Sequence, residues 1–202
     1  MRRDVITVVD YRAGNLASVQ KALVHLGYNS GFTEDPDDVA RASRIVLPGV
    51  GHFGTMARLQ KSGMRSAIEE AIARGVPLLG ICLGMQWLFE GSAEAPHVSG
   101  LGLFKGCCEH FALGVKVPHV GWNDLQPRGK SRLFTGVPHD GFVYYTHSYR
   151  APVADGVIAT TSYGETFAAA VERDNVFGVQ FHPEKSGEVG LAILKNFCEA
   201  SC

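Results

Sequence analysis

Nowhere in its 202 residues does the chain carry an apolar run long enough to cross a bilayer as a helix, which takes about 20 residues. It also lacks charge of either sign in excess. Nineteen Lys and Arg face 20 Asp and Glu, for a net charge of −1. Without a long-range field there is no electrostatic footprint for nucleic acid or an anionic membrane surface, and neither is expected as a partner. Cys-x-x-Cys is absent, and the eight histidines are scattered without ligand spacing, so no metal and no cofactor is expected. Repeats, linkers and low-complexity tracts are missing as well. The start, Met1-Arg2-Arg3, leads into Asp4 and a short strand pattern and does not read as a signal peptide.

The five cysteines form an odd set. Cys107 and Cys108 are vicinal, a pair that rarely bridges without strain, and Cys198 and Cys202 lie in or after the last predicted helix. Reduced thiols, and hence a cytosolic setting, are the expectation. Hydrophobic residues make up 46% of the chain, enough at this length for one core, so residues 1–202 are expected to form one domain.

The first half alternates strand and helix patterns. Val5–Val9 reads as a strand. A helix follows from about Asn15, with Leu16, Val19, Leu23 and Leu26 on one face and Gly27 as its stop. Ile45–Leu47 reads as a strand, and Met64, Ala67, Ile68, Ala71 and Ile72 form a helical stripe stopped by Gly75. From Gly100 onward short strands take over: Phe142–Tyr149, Val157–Thr161, Thr166–Val171 and Val176–Phe181, with Arg173-Asp174-Asn175 as a hairpin turn. A helix over Glu188–Cys198 closes the pattern. The implied fold class is α/β: a mostly parallel central sheet with helices on both faces, plus antiparallel strands in the second half.

Three motifs carry chemistry. Gly80-Ile81-Cys82-Leu83-Gly84 follows the apolar run Val76-Pro77-Leu78-Leu79 and has the form of a nucleophile elbow, strand then tight turn then helix. The paired glycines permit a sharp turn and close approach of strand to helix, and the positive end of that helix would favour a thiolate. A buried cysteine acting as a small hydrophobe is the plain alternative. The second motif is His182-Pro183-Glu184, at the end of the Val176–Phe181 strand. Proline stops the strand, so the imidazole projects from its carboxyl end with a carboxylate two residues on. Thiol, imidazole and carboxylate together make the nucleophile, base and orienter of acyl transfer.

The third motif, Pro48-Gly49-Val50-Gly51-His52-Phe53-Gly54, formally matches a dinucleotide fingerprint. Its glycines lie beyond an earlier strand and helix, and no acidic residue closes a following strand at the required distance. A strand ending in Pro-Gly-x-Gly can instead present bare backbone N–H groups to a developing oxyanion. The readings rank as oxyanion strand, plain turn, then nucleotide loop.

In this combination and order the motifs resemble the class I (triad) glutamine amidotransferases. Asp10-Tyr11-Arg12-Ala13-Gly14-Asn15-Leu16, Pro118-His119-Val120-Gly121-Trp122-Asn123, His147-Ser148-Tyr149 and His182-Pro183-Glu184-Lys185-Ser186 narrow the resemblance to the glutaminase subunits of imidazole glycerol phosphate synthases. It covers essentially the whole chain. The resemblance implies a glutaminase in which Cys82 attacks the glutamine amide, His182 moves the proton and Glu184 holds the imidazole. Backbone at Leu83, Val50 and Gly51 would meet the oxyanion, the Val50–Gly51 peptide being its mobile part. Gln86, Glu94, Ser148 and Tyr149 become candidates for holding glutamine, with Glu94 suited to the α-ammonium. A separate cyclase with a (βα)₈ barrel is the implied partner in a heterodimer, and Asn15, Trp122, Tyr144 and Lys185 are the interface candidates. Three rivals stay open at this point: a nucleotide-binding oxidoreductase, a stand-alone cysteine hydrolase and a catalytically silent binding subunit.

Overall fold

The computed structural model describes residues 5–138 and 141–200. Met1-Arg2-Arg3, Asp4 and Cys202 lie outside the described residues. The first half runs β1 (Ile6–Val9), α1 (Leu16–His25), β2 (Ser30–Thr33), α2 (Pro36–Ala40), β3 (Ile45–Gly49), a 3₁₀ turn, α3 (Ala57–Lys61), α4 (Met64–Ala73), β4 (Leu78–Cys82) and α5 (Leu83–Gln86). In the second half come β5 (Gly91–Ser92), β6 (Cys107–His110), β7 (His119–Asp124), β8 (Gln126–Pro127), β9 (Phe142–His147), β10 (Tyr149–Arg150), β11 (Val157–Tyr163), β12 (Glu165–Arg173), β13 (Val176–Val179) and α6 (Gly187–Glu199). No helix among the described residues is long and apolar enough to cross a membrane.

Eight strands form one sheet in the order β2-β1-β3-β4-β13-β12-β11-β8. The run from β2 to β13 is parallel, and the pairings from β13 onward are antiparallel. Strands covered on both faces read as continuous apolar runs, and alternate side chains enter two cores. Val8, Val46, Ile81 and Val179 pack on α1 and α6 through Val19, Leu23, Ile193 and Phe197. Ile45, Leu47, Leu78 and Val176 pack on α2, α3 and α4 through Val39, Leu59, Met64 and Ile68. The expected α/β architecture is the one observed.

Local chemistry explains several boundaries. Gly27 and Gly75 adopt φ 81° and 85° after α1 and α4, the left-handed residues that end helices. Asp174 turns the β12–β13 hairpin at φ 50°. Two expected strands are shorter than their sequence patterns. Phe142–Tyr149 breaks after His147, because Tyr149–Arg150 leaves β9 to pair with β6 in a second sheet. Val176–Phe181 ends at Val179, although the Gln180 N–H still donates to the Ala169 carbonyl at 2.8 Å.

The elbow is shut by glycine. Cys82 sits at φ 54°, an uncommon value for a residue with a side chain. A Cβ on Gly80 would lie 2.7 Å from the Gly84 carbonyl, and one on Gly84 would collide with the Leu47 carbonyl oxygen. Strand and helix therefore touch backbone to backbone. The helix itself departs from expectation: α5 is a single turn, so few peptide dipoles align behind Cys82 and the macrodipole argument for a thiolate loses most of its force.

Gly84→Ala should lower stability by about 1–3 kcal/mol, the range for forcing atoms into a filled interior. Gly31→Ala, where the added methyl meets only Val5 at 3.9 Å, should stay within about 0.5 kcal/mol. Urea unfolding of both variants checks this; equal midpoints would mean that the elbow can relax.

Candidate active site

Sheet order assembles the site. β3, β4 and β13 are neighbours, with Gly49 opposite Cys82 and Val179 opposite Ile81. Three sequence motifs far apart in the chain thus meet at the carboxyl ends of three adjacent parallel strands, the position where open α/β sheets keep their sites.

The Pro183–Lys185 segment forms a 3₁₀ turn that folds Glu184 back onto His182. His182 Nδ1 and Glu184 Oε1 are 2.9 Å apart, with the two side chains 2% and 1% exposed. Ser186 pins the turn, donating from Oγ to the His182 carbonyl at 2.6 Å and accepting from the Tyr144 N–H at 2.9 Å. The His182 N–H donates to the Tyr144 carbonyl. Burial works to lower the pKa of His182, but interaction with the Cys82 and Glu184 side chains outweighs it and raises the value to about 10. The other ring nitrogen, Nε2, is buried without a hydrogen-bond partner of good geometry. A proton held there is available to a group entering beside the thiol.

Cys82, Leu83, Gly51, Gln86, Glu94, Ser148 and Tyr149 line one cavity of ≈ 290 Å³. The structure brings these sequence-predicted residues together. Val50 is not among the lining residues, and it is 37% exposed. Gly51 adopts φ 93° with no heavy atom near where a Cβ would stand, so this segment has room to rearrange. Glu94 Oε2 accepts from the Phe53 N–H at 2.6 Å and ties down the far end of that segment. Gln86 is buried, and both its amide hydrogens are engaged, with the Tyr149 carbonyl at 2.8 Å and Gln180 Oε1 at 3.1 Å.

Three of the four interface candidates share one surface. Trp122 and Tyr144 are paired across the β7–β9 ribbon and pack edge to face at 6.1 Å, and Lys185 Nζ stands 5.8 Å from the Tyr144 ring. Trp122 is 56% exposed. Asn15 stands just before α1, accepting from Ser18 Oγ at 3.0 Å, beside the helix that packs against the Pro183–Lys185 turn.

Several residues around the thiol were missed in the sequence. Pro118, Thr146 and His147 also line the cavity. Gln180 is fully buried and its Nε2 donates to Cys82 Sγ at 3.7 Å. The available signal was a glutamine inside the apolar run before His182. Tyr11 places a buried hydroxyl against Gly49, and burial, then the nearby Cys82, pushes its pKa up. Among the described residues, no group of three or more His, Cys, Asp or Glu is arranged to hold a metal ion.

Comparison with known proteins identifies the family and the fold. The family model described as glutamine amidotransferase class-I matches residues 7–200. The imidazole glycerol phosphate synthase subunit HisH of Moorella thermoacetica is 49% identical over 197 residues, covering 96% of this chain and 94% of that protein. The chloroplastic imidazole glycerol phosphate synthase hisHF of Arabidopsis thaliana is 44% identical over 200 residues, covering 96% of this chain and 34% of the plant protein. The solved structure of PurLQS from Thermotoga maritima superimposes with a TM-score of 0.74 at 23% identity, covering 96% of this chain and 97% of that one; it bears on fold alone. A match of this length and identity, on a fold that converges the same three motifs, leaves one assignment: the chain belongs to the class I glutamine amidotransferases and, within them, to the family of imidazole glycerol phosphate synthase HisH subunits.

Proposed function

We propose that this chain, acting as one domain over residues 1–202, is the glutamine-hydrolysing subunit of an imidazole glycerol phosphate synthase. The observation that carries the reading is the buried 2.9 Å His182–Glu184 pair on the strand beside Cys82. A thiolate at Cys82 attacks the side-chain amide carbon of glutamine, and the C–N bond breaks as the imidazolium of His182 gives its proton to the leaving nitrogen. The products of this half are a thioester on Cys82 and free ammonia. Water, deprotonated by the now neutral His182, then opens the thioester to glutamate. Glu184 keeps the ring oriented throughout and favours its protonated form.

Backbone N–H groups of Leu83 and of the Val50–Gly51 segment receive the oxyanion of each tetrahedral intermediate. Loss of one such donor costs ~10²–10³ in turnover, so a rotation at Gly51 is enough to idle the enzyme. Glu94 and the backbone at Ser148 and Tyr149 hold the amino-acid end of glutamine, and Gln86 shapes the pocket between them.

Ammonia is mostly protonated in neutral water, so direct transfer to a second site serves a synthetic reaction. The partner is a cyclase subunit with a (βα)₈ barrel, docked over Trp122, Tyr144 and Lys185 with Asn15 at the margin, in a cytoplasmic heterodimer. There the ammonia enters the lyase step that yields imidazole glycerol phosphate and a carboxamide ribotide in histidine biosynthesis. Support for a partner comes from the plant relative, of which this chain covers only 34%. The exposed aromatic cluster on β7 and β9 supports its location.

Cys82→Ser should abolish glutamine-dependent synthesis in the assembled pair while synthesis from added ammonium salt continues. Retained glutamine turnover would remove Cys82 from the nucleophile role. Loss of both activities in an intact complex would place it in the second reaction too.

Glu184→Gln should lower kcat by roughly 10²–10⁴-fold, the usual worth of positioned acid–base catalysis. It should also move the alkaline limb of the pH–rate profile to lower pH. The sign follows from the raised His182 value near 10: the active proton is present below that pH and is lost as pH rises through it, and a neutral amide no longer favours the imidazolium. A profile that stays in place would separate Glu184 from His182.

A further inference from the structure

The hydrogen bonds behind the cavity have only one consistent set of directions. His147 Nδ1 faces the Tyr149 carbonyl at 2.8 Å and must donate to it. Burial pushes the pKa of His147 down to about 3, assisted by the nearby His119 and His182, and burial pushes His119 down to about 4. Both rings are therefore neutral near pH 7, and His147 Nε2 is an acceptor. His119 Nδ1, 3.1 Å away, donates to it. His119 Nε2 is then an acceptor too, and the amide of Asn123 donates to it at 3.3 Å. Asn123 is itself oriented, because its NH₂ also meets the Ser162 carbonyl at 3.1 Å and its oxygen accepts from the Asp124 N–H at 2.9 Å.

The same carbonyl of Tyr149 accepts from Gln86 Nε2, whose second hydrogen goes to Gln180 Oε1. That contact orients the Gln180 amide with its NH₂ toward Cys82 Sγ at 3.7 Å. His119 is clamped between the rings of Tyr145 and Tyr163, at 4.8 and 4.0 Å, so it has little freedom to break step. The line begins on β7, the strand that carries Trp122.

We propose that Asn123, His119, His147, the Tyr149 carbonyl, Gln86 and Gln180 form one hydrogen-bonded relay of position, its donors converging on the Tyr149 carbonyl from both sides, that fixes the donor facing the Cys82 sulfur. Gln180 touches the reacting atom and is a catalytic residue. It stabilises the thiolate and, later, the departing sulfur of the thioester. Gln86, His147, His119 and Asn123 are positioning residues acting through it. The role in turnover rests on the glutaminase reading above; the effect on the thiol does not.

A double-mutant cycle on the full chain, alone and with the cyclase partner, tests this. Gln180→Met and His119→Phe keep volume and ring packing while removing the polar links. Two quantities are read: the alkylation rate of Cys82 by iodoacetamide, followed by peptide mass mapping to exclude Cys107, and kcat and KM for glutamine. Gln180→Met should slow alkylation and kcat about 10–100-fold with KM within about threefold, and His119→Phe should slow both about 3–10-fold. The two residues have no shared bond, so independent roles would multiply. A single relay predicts that His119→Phe costs less than twofold once Gln180→Met is present, and that His119→Gln, which keeps a donor and an acceptor, regains part of the loss. Should His119→Phe fail to fold, Asn123→Ala at the outer end takes its place in the cycle. Multiplicative effects, or alkylation rates equal to the unmodified protein's, overturn the relay. Coupled alkylation rates in a chain that does not hydrolyse glutamine would uphold the relay and overturn the glutaminase reading instead.

Discussion

The contact of Gly84 with the carbonyl of Leu47 governs the geometry of the whole site. Because no side chain intervenes, β3 and the turn after β4 lie backbone against backbone. Gly49 can then stand opposite Cys82, and the elbow closes at a left-handed φ that the cysteine would not choose for itself. Any side chain at Gly80 or Gly84 would push the thiol away from the glycine segment that faces it and from the strand bearing His182. Strain at one residue is held by close packing at two others, and the chemistry lies where the strain is.

The histidines show how burial alone leaves protonation undecided. His119, His147 and His182 are all largely removed from solvent. The first two face carbonyl, amide and each other, so desolvation wins and they stay neutral. His182 faces a carboxylate and a thiol, and these partners overcome the same desolvation. Environments that push like groups apart in pKa are how one interior hosts both a structural imidazole and a proton carrier. On the proposed reading the neutral pair transmits orientation and the charged ring moves a proton.

Much of this was legible before any coordinates. Apolar stripes ended by glycines at φ > 0 located α1 and α4, and short apolar runs located β1, β3 and β4. The elbow and His182-Pro183-Glu184 were legible because a thiol, an imidazole and a carboxylate occur together at the ends of apolar strand patterns, a conjunction that no one of them carries alone. What was not legible depended on pairing at a distance. β2, with its Ser-Gly-Phe-Thr sequence, has no strand pattern of its own and forms by adding to the edge of β1. Tyr149 leaves β9 because β6 is there to receive it. The end of α5 at Gln86 could not be read from the sequence, since Trp87, Leu88 and Phe89 continue a helical composition while their carbonyls accept from the backbone N–H groups of the loop at Leu101–Phe104. The pairing of Gln180 and of the two neutral histidines was not legible for the same reason: a buried polar group is defined by its partners, and those came from β4, α5, β7, β9 and β10.

The position of β13 has a consequence for how the protein is made. This strand lies in the middle of the sheet yet arrives near the end of the chain, inserting between β4 and β12. While the ribosome is still extending the polypeptide, β4 is an open edge with apolar side chains on both faces, the kind of surface that invites mispairing. Only when Val176–Val179 emerges does the edge close. The same event delivers His182 and Glu184 to Cys82. A nascent or truncated chain therefore carries Cys82 without His182 and Glu184 beside it, and on the proposed mechanism completion of the sheet and the onset of reactivity are a single step.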